Sequence, residues 1–459
     1  MPHKKVYHVG LDVGTTSVKA CAFTTEGEMV IENIEPYPLL HPEAGAAIQR
    51  PTQILASCGL ALQKTIATAD QSIASIGLSC PMHSVLLYDG QTGFDATIYT
   101  WADGRGQAVL DQIPTGERAE LLRETGTPVH PMSPLVKALW LRDTHAADFA
   151  KKNDGRKPYL YSLKELLTLT WAGEAVLDEQ LASATGLYDA VERKWSCRAM
   201  QAVMGWDNLC SEADFSYQLP IVKPAIHRLS WRPEIAQELG ATDIPLFLGG
   251  SDGCLANLGS GIDQPGEVAI TIGTSAAVRA THRTGRIDPE HQLFNYRIGA
   301  DSFAVGGASN NGGKVIEYWR ELLSGHFASV GDFINAAFTV DAEDCPTYAP
   351  FLNGERAPLW DATVSSELRG LRGYHEPAHI ARAVLEGVTA NVVAILRNLE
   401  AAVGETDVIY ASGGFTRSAQ WVDLLAERSG RRVEIADTPQ ASAYGAALVG
   451  KMGLAGHTL

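Results

Sequence analysis

The sequence predicts an α/β protein of two large, repeated halves, and three observations carry that prediction. The stretch Asp12-Val13-Gly14-Thr15-Thr16-Ser17-Val18-Lys19 returns about 260 residues later as Thr271-Ile272-Gly273-Thr274-Ser275. Each copy stands directly behind a short apolar run that reads as a strand. The chain has 459 residues, more than one ordinary core holds, so two large domains are expected. A glycine followed by hydroxyl residues can cradle phosphate, because Gly allows the tight backbone turn and Thr or Ser adds donors without bulk. Either copy alone is compatible with a plain turn. Their repetition in one strand context points to two half-molecules closing on one polyphosphate.

The elements follow in order. Residues 6–10 and 17–23 read as strands joined by the first glycine loop, and Glu26-Gly27 turns the chain into a third strand near 29–35. Helical spacing covers 52–68, a strand 73–79, and helical patterns 105–124 and 133–146. Residues 147–240 alternate short helical segments with Pro- and Trp-bearing connections and carry little readable chemistry. Gly240 and Pro245 punctuate a new apolar run ending in Gly249-Gly250-Ser251-Asp252-Gly253, which places a domain boundary between residues 1–243 and 244–459. In the second half, strands are expected near 266–273, 276–281 and 302–307, followed by a helix from Gly312-Gly313-Lys314 to about Leu323. Pro377 opens a long helix whose apolar stripe is Ile380, Val384, Val388, Val392, Ile395 and Leu399. A strand at 407–411 leads into Ser412-Gly413-Gly414-Phe415-Thr416-Arg417-Ser418. That is a third glycine turn before a helix, suited to a nucleotide or to a tight connection.

Composition narrows the function. The chain carries 53 acidic and 37 basic residues, a formal charge of −16, which argues against a nucleic-acid partner held through phosphate contacts. Seven cysteines at 21, 58, 80, 197, 210, 254 and 345 are scattered and contain no Cys-x-x-Cys, so neither a disulfide framework nor a zinc knuckle is expected. The opening Met-Pro-His-Lys-Lys is not followed by a long apolar run, and no uninterrupted apolar stretch approaches about 18 residues. A cytoplasmic protein without a membrane partner is expected.

Two familiar patterns occur without their chemistry. Gly249-Gly250-Ser251-Asp252-Gly253 satisfies the hydrolase elbow, which would make Ser251 a nucleophile but requires a matching acid and His. His375-Glu376-Pro377-Ala378-His379 satisfies the zinc-protease pattern, yet Pro377 best starts a helix and leaves His375 outside it. Gly312-Gly313-Lys314-Val315 lacks the hydroxyl of a Walker loop.

On these segments the chain resembles the FGGY carbohydrate kinases, and the resemblance runs essentially end to end. Asp12 to Thr16 looks like the family's first phosphate loop, Gly273-Thr274-Ser275 its second and Gly413-Gly414 its adenosine turn. Ser366 to Glu386 fits the family's C-terminal signature throughout. Met132 to Thr144 fits the N-terminal signature less well, with Ala138 in a slot for a larger apolar residue and Thr144 in a polar slot. The resemblance implies the duplicated actin-like, ribonuclease-H-like ATPase fold, with two domains around a central cleft. Met82-His83-Ser84, Thr100 to Arg105, Thr125 to Met132, Ser251-Asp252-Gly253 and Gly354 to Trp360 look like the family's gluconate-phosphorylating branch. Xylulose kinases resemble it at the first two and the fourth.

What the resemblance implies residue by residue is a kinase using ATP and Mg²⁺. Asp252 becomes the general base that accepts the sugar hydroxyl's proton, or else a helix-capping Asp. Asp12 holds Mg²⁺ through water or supports an Asx turn. Gly14, Thr15, Thr16 and Ser17 reach phosphates from the first half, with Lys19 offering a point charge or standing solvated on its strand. Gly273 and Thr274 meet phosphate from the second half, Gly313 lines the nucleotide, and Gly413, Gly414 and Ser418 lie by purine or ribose. An open-chain sugar acid needs acceptors, donors and a cation. Met82, His83, Trp101, Asp103 and Arg105 are its expected contacts, with Arg105 the first candidate for the carboxylate and His130 the second. The expected partner is a small-molecule sugar acid or sugar, and a homodimer is left open.

Overall fold

The computed structural model describes residues 5–69, 73–88, 90, 97–145, 159–204, 219–436 and 438–457. Cys210 and part of the 147–240 shell lie outside them. The chain divides into two compact units: Met1–Gly261 with Asn295–Phe303 and Thr438–Leu459, and Ile262–Phe294 with Ala304–Asp437.

The first unit is built on strands β1 (Tyr7–Val13), β2 (Ser17–Thr24), β3 (Met29–Pro36), β4 (Ile73–Cys80), β5 (Arg228–Leu229) and β6 (Leu246–Ser251), with spatial order β5-β6-β4-β1-β2-β3. β1, β2 and β3 form an antiparallel meander, while β4 runs parallel to β1 and to β6. Val9, Leu11, Ile76, Leu78, Leu246 and Leu248 are fully buried beneath Ile54 and Leu62 of helix α1 (Pro51–Thr68). The third strand alternates half-buried and exposed along its length, as an edge strand with one covered face should.

Three further helices of this unit bear on the site: α2 (Pro134–Thr144), α3 (Leu163–Ala172) and the short α4 (Glu179–Ser183). The helical pattern expected over 105–124 divides into a 3₁₀ segment, Arg105–Gln112, and an α-helix, Thr115–Thr125. Pro114 cannot continue the first and serves as N-cap of the second.

The boundary expected at 243/244 falls inside this unit. β6 enters the first sheet beside β4, so the helix that follows it, α5 (Asp252–Ser260), stays with that sheet. In the second unit, strands β7 (Glu267–Ile272), β8 (Ala276–His282), β9 (Phe303–Ser309), β10 (Val408–Ser412) and β11 (Arg432–Ile435) lie in the order β9-β8-β7-β10-β11. β7 pairs antiparallel with β8 and parallel with β10, which is parallel to β11. The order β3-β2-β1-β4-β6 of the first unit is thus repeated, and this duplicated topology is the actin-like, ribonuclease-H-like ATPase fold.

Helix α6 (Gly313–Leu322), α7 (Pro377–Val403) and α8 (Ala419–Ser429) belong to the second unit. α7 is long and apolar enough to cross a bilayer, but about two-thirds of it is buried in the protein core. Val384, Val388, Val392, Ile395 and Leu399 of its expected stripe are fully buried, and Ile380 half-buried.

The last helix, α9 (Ala441–Ala455), returns to the first unit. It lies so close to the sheet that a Cβ on Gly10 would stand 1.8 Å from the Ala443 carbonyl oxygen, and one on Gly77 2.0 Å from that of Ala446. On its other side a Cβ at Gly445 would stand 2.0 Å from the Leu255 carbonyl of α5. Backbone touching backbone admits no larger residue at these positions.

Candidate active site

In the first unit the site starts where β1 ends. Asp12 stands opposite Lys19 of β2 in the antiparallel register, so both side chains share one face. Asp12 Oδ1 accepts from the Ser79 hydroxyl at 2.6 Å, and burial pushes its carboxyl up from the usual carboxylate range against that bond and the Lys19 charge. Among the described residues no group of three or more His, Cys, Asp or Glu gathers to hold a metal. A divalent ion at Asp12 would have one carboxylate and take its other ligands from water and phosphate, the habit of magnesium. An under-compensated buried carboxylate fits that role.

The intervening loop is braced from behind. The Gly14 amide bonds the Ser17 carbonyl at 2.9 Å, the Tyr37 hydroxyl donates to the Gly14 carbonyl, and the Tyr37 amide donates to the Thr16 carbonyl at 2.9 Å. Gln49 Nε2 donates to the Thr15 carbonyl at 2.7 Å. Trp101 Nε1 donates to the Thr15 hydroxyl at 3.1 Å, which ties the expected sugar-contacting segment to the phosphate loop. Lys19 Nζ donates to Gln440 Oε1 at 2.9 Å, and Gln440 in turn to Glu32 at 2.7 Å.

Met82 packs half-buried against the first core, and His83 follows it with φ 63°. A non-glycine residue in the left-handed region is costly and is retained where its side chain must point one way. Here Nδ1 meets the Ala184 carbonyl at 2.8 Å and Nε2 the Tyr296 hydroxyl at 3.4 Å. His130 is 6% exposed and its Nδ1 accepts from the Met132 amide at 3.2 Å, so the ring proton of the neutral form sits on Nε2.

Asp103 and Arg105 are bonded to each other. Asp103 is 1% exposed and accepts from the Ala47 amide at 3.1 Å and from Arg105 N, Nε and a terminal nitrogen at 3.2, 3.1 and 2.7 Å. The other terminal nitrogen of Arg105 meets Glu43 at 2.6 Å, and the guanidinium lies 4.7 Å from the Trp140 ring centre and 5.3 Å from that of Tyr99. Two carboxylates already compensate this cation. In this arrangement Arg105 anchors the loop through Asp103 and Glu43. Behind it, burial holds the Lys137 ammonium down to about 7, while its hydrogens point to the Met132 and His83 carbonyls.

Asp252 is the first residue of α5, at the C-terminal end of β6. Ser251 is the N-cap, its hydroxyl accepting from the Cys254 amide at 3.3 Å, so Asp252 is not required to cap the helix. Asp252 Oδ1 accepts from the Gly253 amide at 2.8 Å, and its own carbonyl from Ser442 of α9 at 3.0 Å. Ser251 is fully buried and used as a cap, so it is no exposed nucleophile. His375 lies outside α7, whose N-cap is Glu376, and contacts the Asp344 carbonyl at 2.9 Å, so the zinc-protease spacing has no helical face to use. Cys80 and Cys254 are buried, and burial pushes the Cys80 thiol up to about 12.

The second unit gathers its three glycine turns. The Gly273 carbonyl accepts from the Gly313 amide at 2.6 Å, and that of Thr274 from the Lys314 amide at 3.2 Å. Gly413, at φ 99°, would place a Cβ 2.5 Å from the Ile272 carbonyl. At Gly273 and Gly414, by contrast, a Cβ would meet nothing within 4 Å. The closed sides of these turns face the fold and the open sides are free for a ligand. Helix α6 has Gly312 as N-cap with no side-chain cap; its first amides are instead taken by the Gly273, Thr274 and Gly312 carbonyls, which ties the start of the helix to the Gly273 turn. Ser418 caps α8 through the Trp421 amide at 3.3 Å. The turn before α6 is fixed by the buried Glu355, whose carboxylate accepts from Ser309, Asn310, Asn311, Arg356 and Asn391 at 2.7–3.2 Å.

Sequence reading missed Gln180, Lys164 and Asp178, all within the stretch taken to carry little chemistry. Gln180 Oε1 accepts from the Ser251 amide at 3.0 Å, and its Nε2 donates to the Ile298 carbonyl at 3.0 Å. The one available signal was the charged pair Lys164-Glu165 set among the apolar residues Leu163, Leu166 and Leu167.

A duplicated ATPase fold with paired glycine loops, a buried carboxylate at Asp12 and a non-capping Asp252 defines a phosphotransferase class, and the comparisons agree. Residues 7–259 match the N-terminal domain of the FGGY family of carbohydrate kinases and residues 268–454 its C-terminal domain. The chain belongs to that family. It is 33% identical to a gluconokinase of Bacillus subtilis (strain 168), over 97% of this chain and 87% of that one. A gluconate kinase structure from Lactobacillus acidophilus superposes with TM-score 0.90 at 27% identity, covering 98% of this chain and 90% of that one. A ligand-bound xylulose kinase from the same organism gives 0.89 at 27%, covering 98% and 89%.

Proposed function

We propose that this kinase transfers the γ-phosphoryl group of ATP to D-gluconate, giving 6-phospho-D-gluconate, in the cytoplasm. The observation that carries the chemistry is Asp252, held at the mouth of β6 with Ser251 performing the capping. Its carboxylate takes the proton of the attacking hydroxyl as that oxygen bonds to phosphorus and the bond to the leaving ADP oxygen breaks. The Gly14–Ser17 loop is assigned to the phosphates in the first unit. In the second, Gly273 and Thr274 are assigned to phosphate, Gly313 to the lining of the nucleotide, and Gly413, Gly414 and Ser418 to the nucleoside. Asp12 would be the protein carboxylate that holds Mg²⁺, which when bound would neutralise phosphate charge. Met82, His83, Trp101 and His130 are assigned to the acceptor, with His130 the side chain now favoured for its carboxylate.

Gluconate is preferred over a ketose on the identity to the gluconokinase and on the Gly126-Thr127-Pro128-Val129-His130-Pro131-Met132 run. The near-equal likeness to a xylulose kinase structure keeps xylulose as the second reading. An ADP-release assay across gluconate, xylulose, ribulose and glycerol tests both. A wild-type preference for xylulose in kcat/KM would replace the first reading by the second, and no turnover of any sugar would remove both.

A further inference from the structure

The ladder between β4 and β6 is interrupted just before the site. Phe247 pairs with Gly77 and Gly250 with Ser79, so Leu248 and Gly249 together oppose the single residue Leu78. This is a β-bulge, a device that bends its strand and re-aims the residues beyond it. Gly249 adopts φ 69°, and a Cβ there would stand 1.7 Å from the Leu78 carbonyl oxygen. Carbonyls at such a break lose regular ladder partners, and buried carbonyls need donors.

One side chain supplies them. Lys164 of α3 is fully buried, and its ammonium donates to Leu248 at 2.6 Å and to Leu78 and Gly250 at 3.4 Å each. Asp178, equally buried, is its counter-charge at 3.4 Å. The same Asp178 caps α4 through the Leu181 amide at 2.9 Å. The next residue but one, Gln180, holds the Ser251 amide at 3.0 Å. Everything fastened in this way lies within four residues of Asp252 on β6, or leads from Leu78 into Cys80, Met82 and His83.

We infer that Lys164 is a positioning residue: its ammonium fixes the β4–β6 bulge and thereby the direction in which the two strand ends deliver Asp252 and the Met82–His83 turn. The inference rests on Asp252 as the base. A buried ion pair of this kind is ordinarily replaceable without loss of stability when both charges are removed together. A positioning role makes a different demand, since three carbonyls would still be left without their donor.

The experiment compares Lys164→Met, Asp178→Asn and the double variant. Asp178→Asn keeps an N-cap and removes the charge. Lys164→Met is expected to lower kcat with gluconate by about 30-fold or more, the scale of a misplacement near 1 Å, with KM for ATP changed less than about 3-fold. In the double variant Tm is expected to recover while kcat does not. Recovery of kcat together with Tm would show that Lys164 serves stability alone and overturn the inference. Asp178→Asn alone, which keeps the ammonium on its carbonyls, is expected to retain at least about a third of kcat. A loss there as deep as that of Lys164→Met would also overturn it. Amide exchange is read in the same samples: residues 251–254 should exchange at least about tenfold faster in the double variant while slow core amides keep their rates. Unchanged exchange at 251–254 refutes the anchoring even if wild-type protein proves to phosphorylate none of the sugars, an outcome that would count against the proposed function instead.

Discussion

Replacing Arg105 by Gln separates two roles for the cation beside the acceptor segment. In the structure its Nε and one terminal nitrogen hold Asp103 at 3.1 and 2.7 Å, and the carboxylate is 1% exposed. Removing one partner of such a buried pair typically costs about 3–5 kcal/mol, because the other charge stays behind. Asp103 keeps the Ala47 and Arg105 amides, so the lower end, about 3 kcal/mol, applies. Loss of the stacking on Trp140 and Tyr99 adds about 1 kcal/mol. The Glu43 contact adds little, since that carboxylate is 63% exposed. At about 1–2 °C per kcal/mol for a protein of this size, Tm should fall by on the order of 5 °C. Turnover, measured by coupled ADP release at a temperature where the variant is folded, should fall by a similar factor on gluconate and on any neutral sugar accepted weakly. Asp103→Asn/Arg105→Gln should regain part of the stability, because no buried charge is left unpaired. A variant as stable as wild type, but with gluconate kcat/KM reduced about 10–150-fold and neutral sugars spared, would refute this reasoning and give the guanidinium to the substrate carboxylate.

Asp252→Asn should lower kcat by about 10²–10⁴-fold with ATP affinity nearly unchanged, whereas Ser251→Ala should lose stability through its cap and keep far more turnover; single-turnover kinetics and urea titration separate the two. Lys137 has a folded pKa of about 7, below its unfolded value, so its contribution to stability is fullest above the unfolded pKa and is lost as pH falls through the folded one. Between pH 9 and pH 7 wild type should lose about 2 kcal/mol relative to Lys137→Met in urea unfolding, and a pH-independent difference would contradict the burial argument. Glu165 does not obscure that window: burial raises it to about 7, so the stability it gives is present at low pH and is lost as pH rises from its unfolded value through about 7. Gly77→Ala should prevent docking of α9, whose Ala446 carbonyl would lie 2.0 Å from the new Cβ, and recovery of soluble protein with a native near-ultraviolet spectrum would show that the helix can shift. Chelation of divalent ions should abolish turnover reversibly, and Asp12→Asn should raise the Mg²⁺ concentration needed for half-maximal rate.

The sequence by itself determined the repeated strand–loop–strand halves, because the period-2 strands, the glycine turns and the apolar stripe of Pro377–Val403 are local signals that survive without neighbours. It also placed Asp12 and Asp252 at strand ends, since a polar residue behind an apolar run and beside glycine is visible in one dimension. What it did not contain was the use of each charge. Arg105 and Asp103 are two residues apart in the chain, and only folding brings Tyr99, Trp140 and Glu43 against the guanidinium. Ser251 and Asp252 are neighbours, and only the start of α5 decides that Ser251, and not Asp252, is the cap. The C-terminal helix carries no mark that it returns to the first sheet; Gly10 and Gly77 permit that approach from more than 360 residues away. Lys164 and Asp178, 14 residues apart, become one buried pair under a strand bulge because desolvation forces each charge to find a partner in three dimensions, and only tertiary structure decides which.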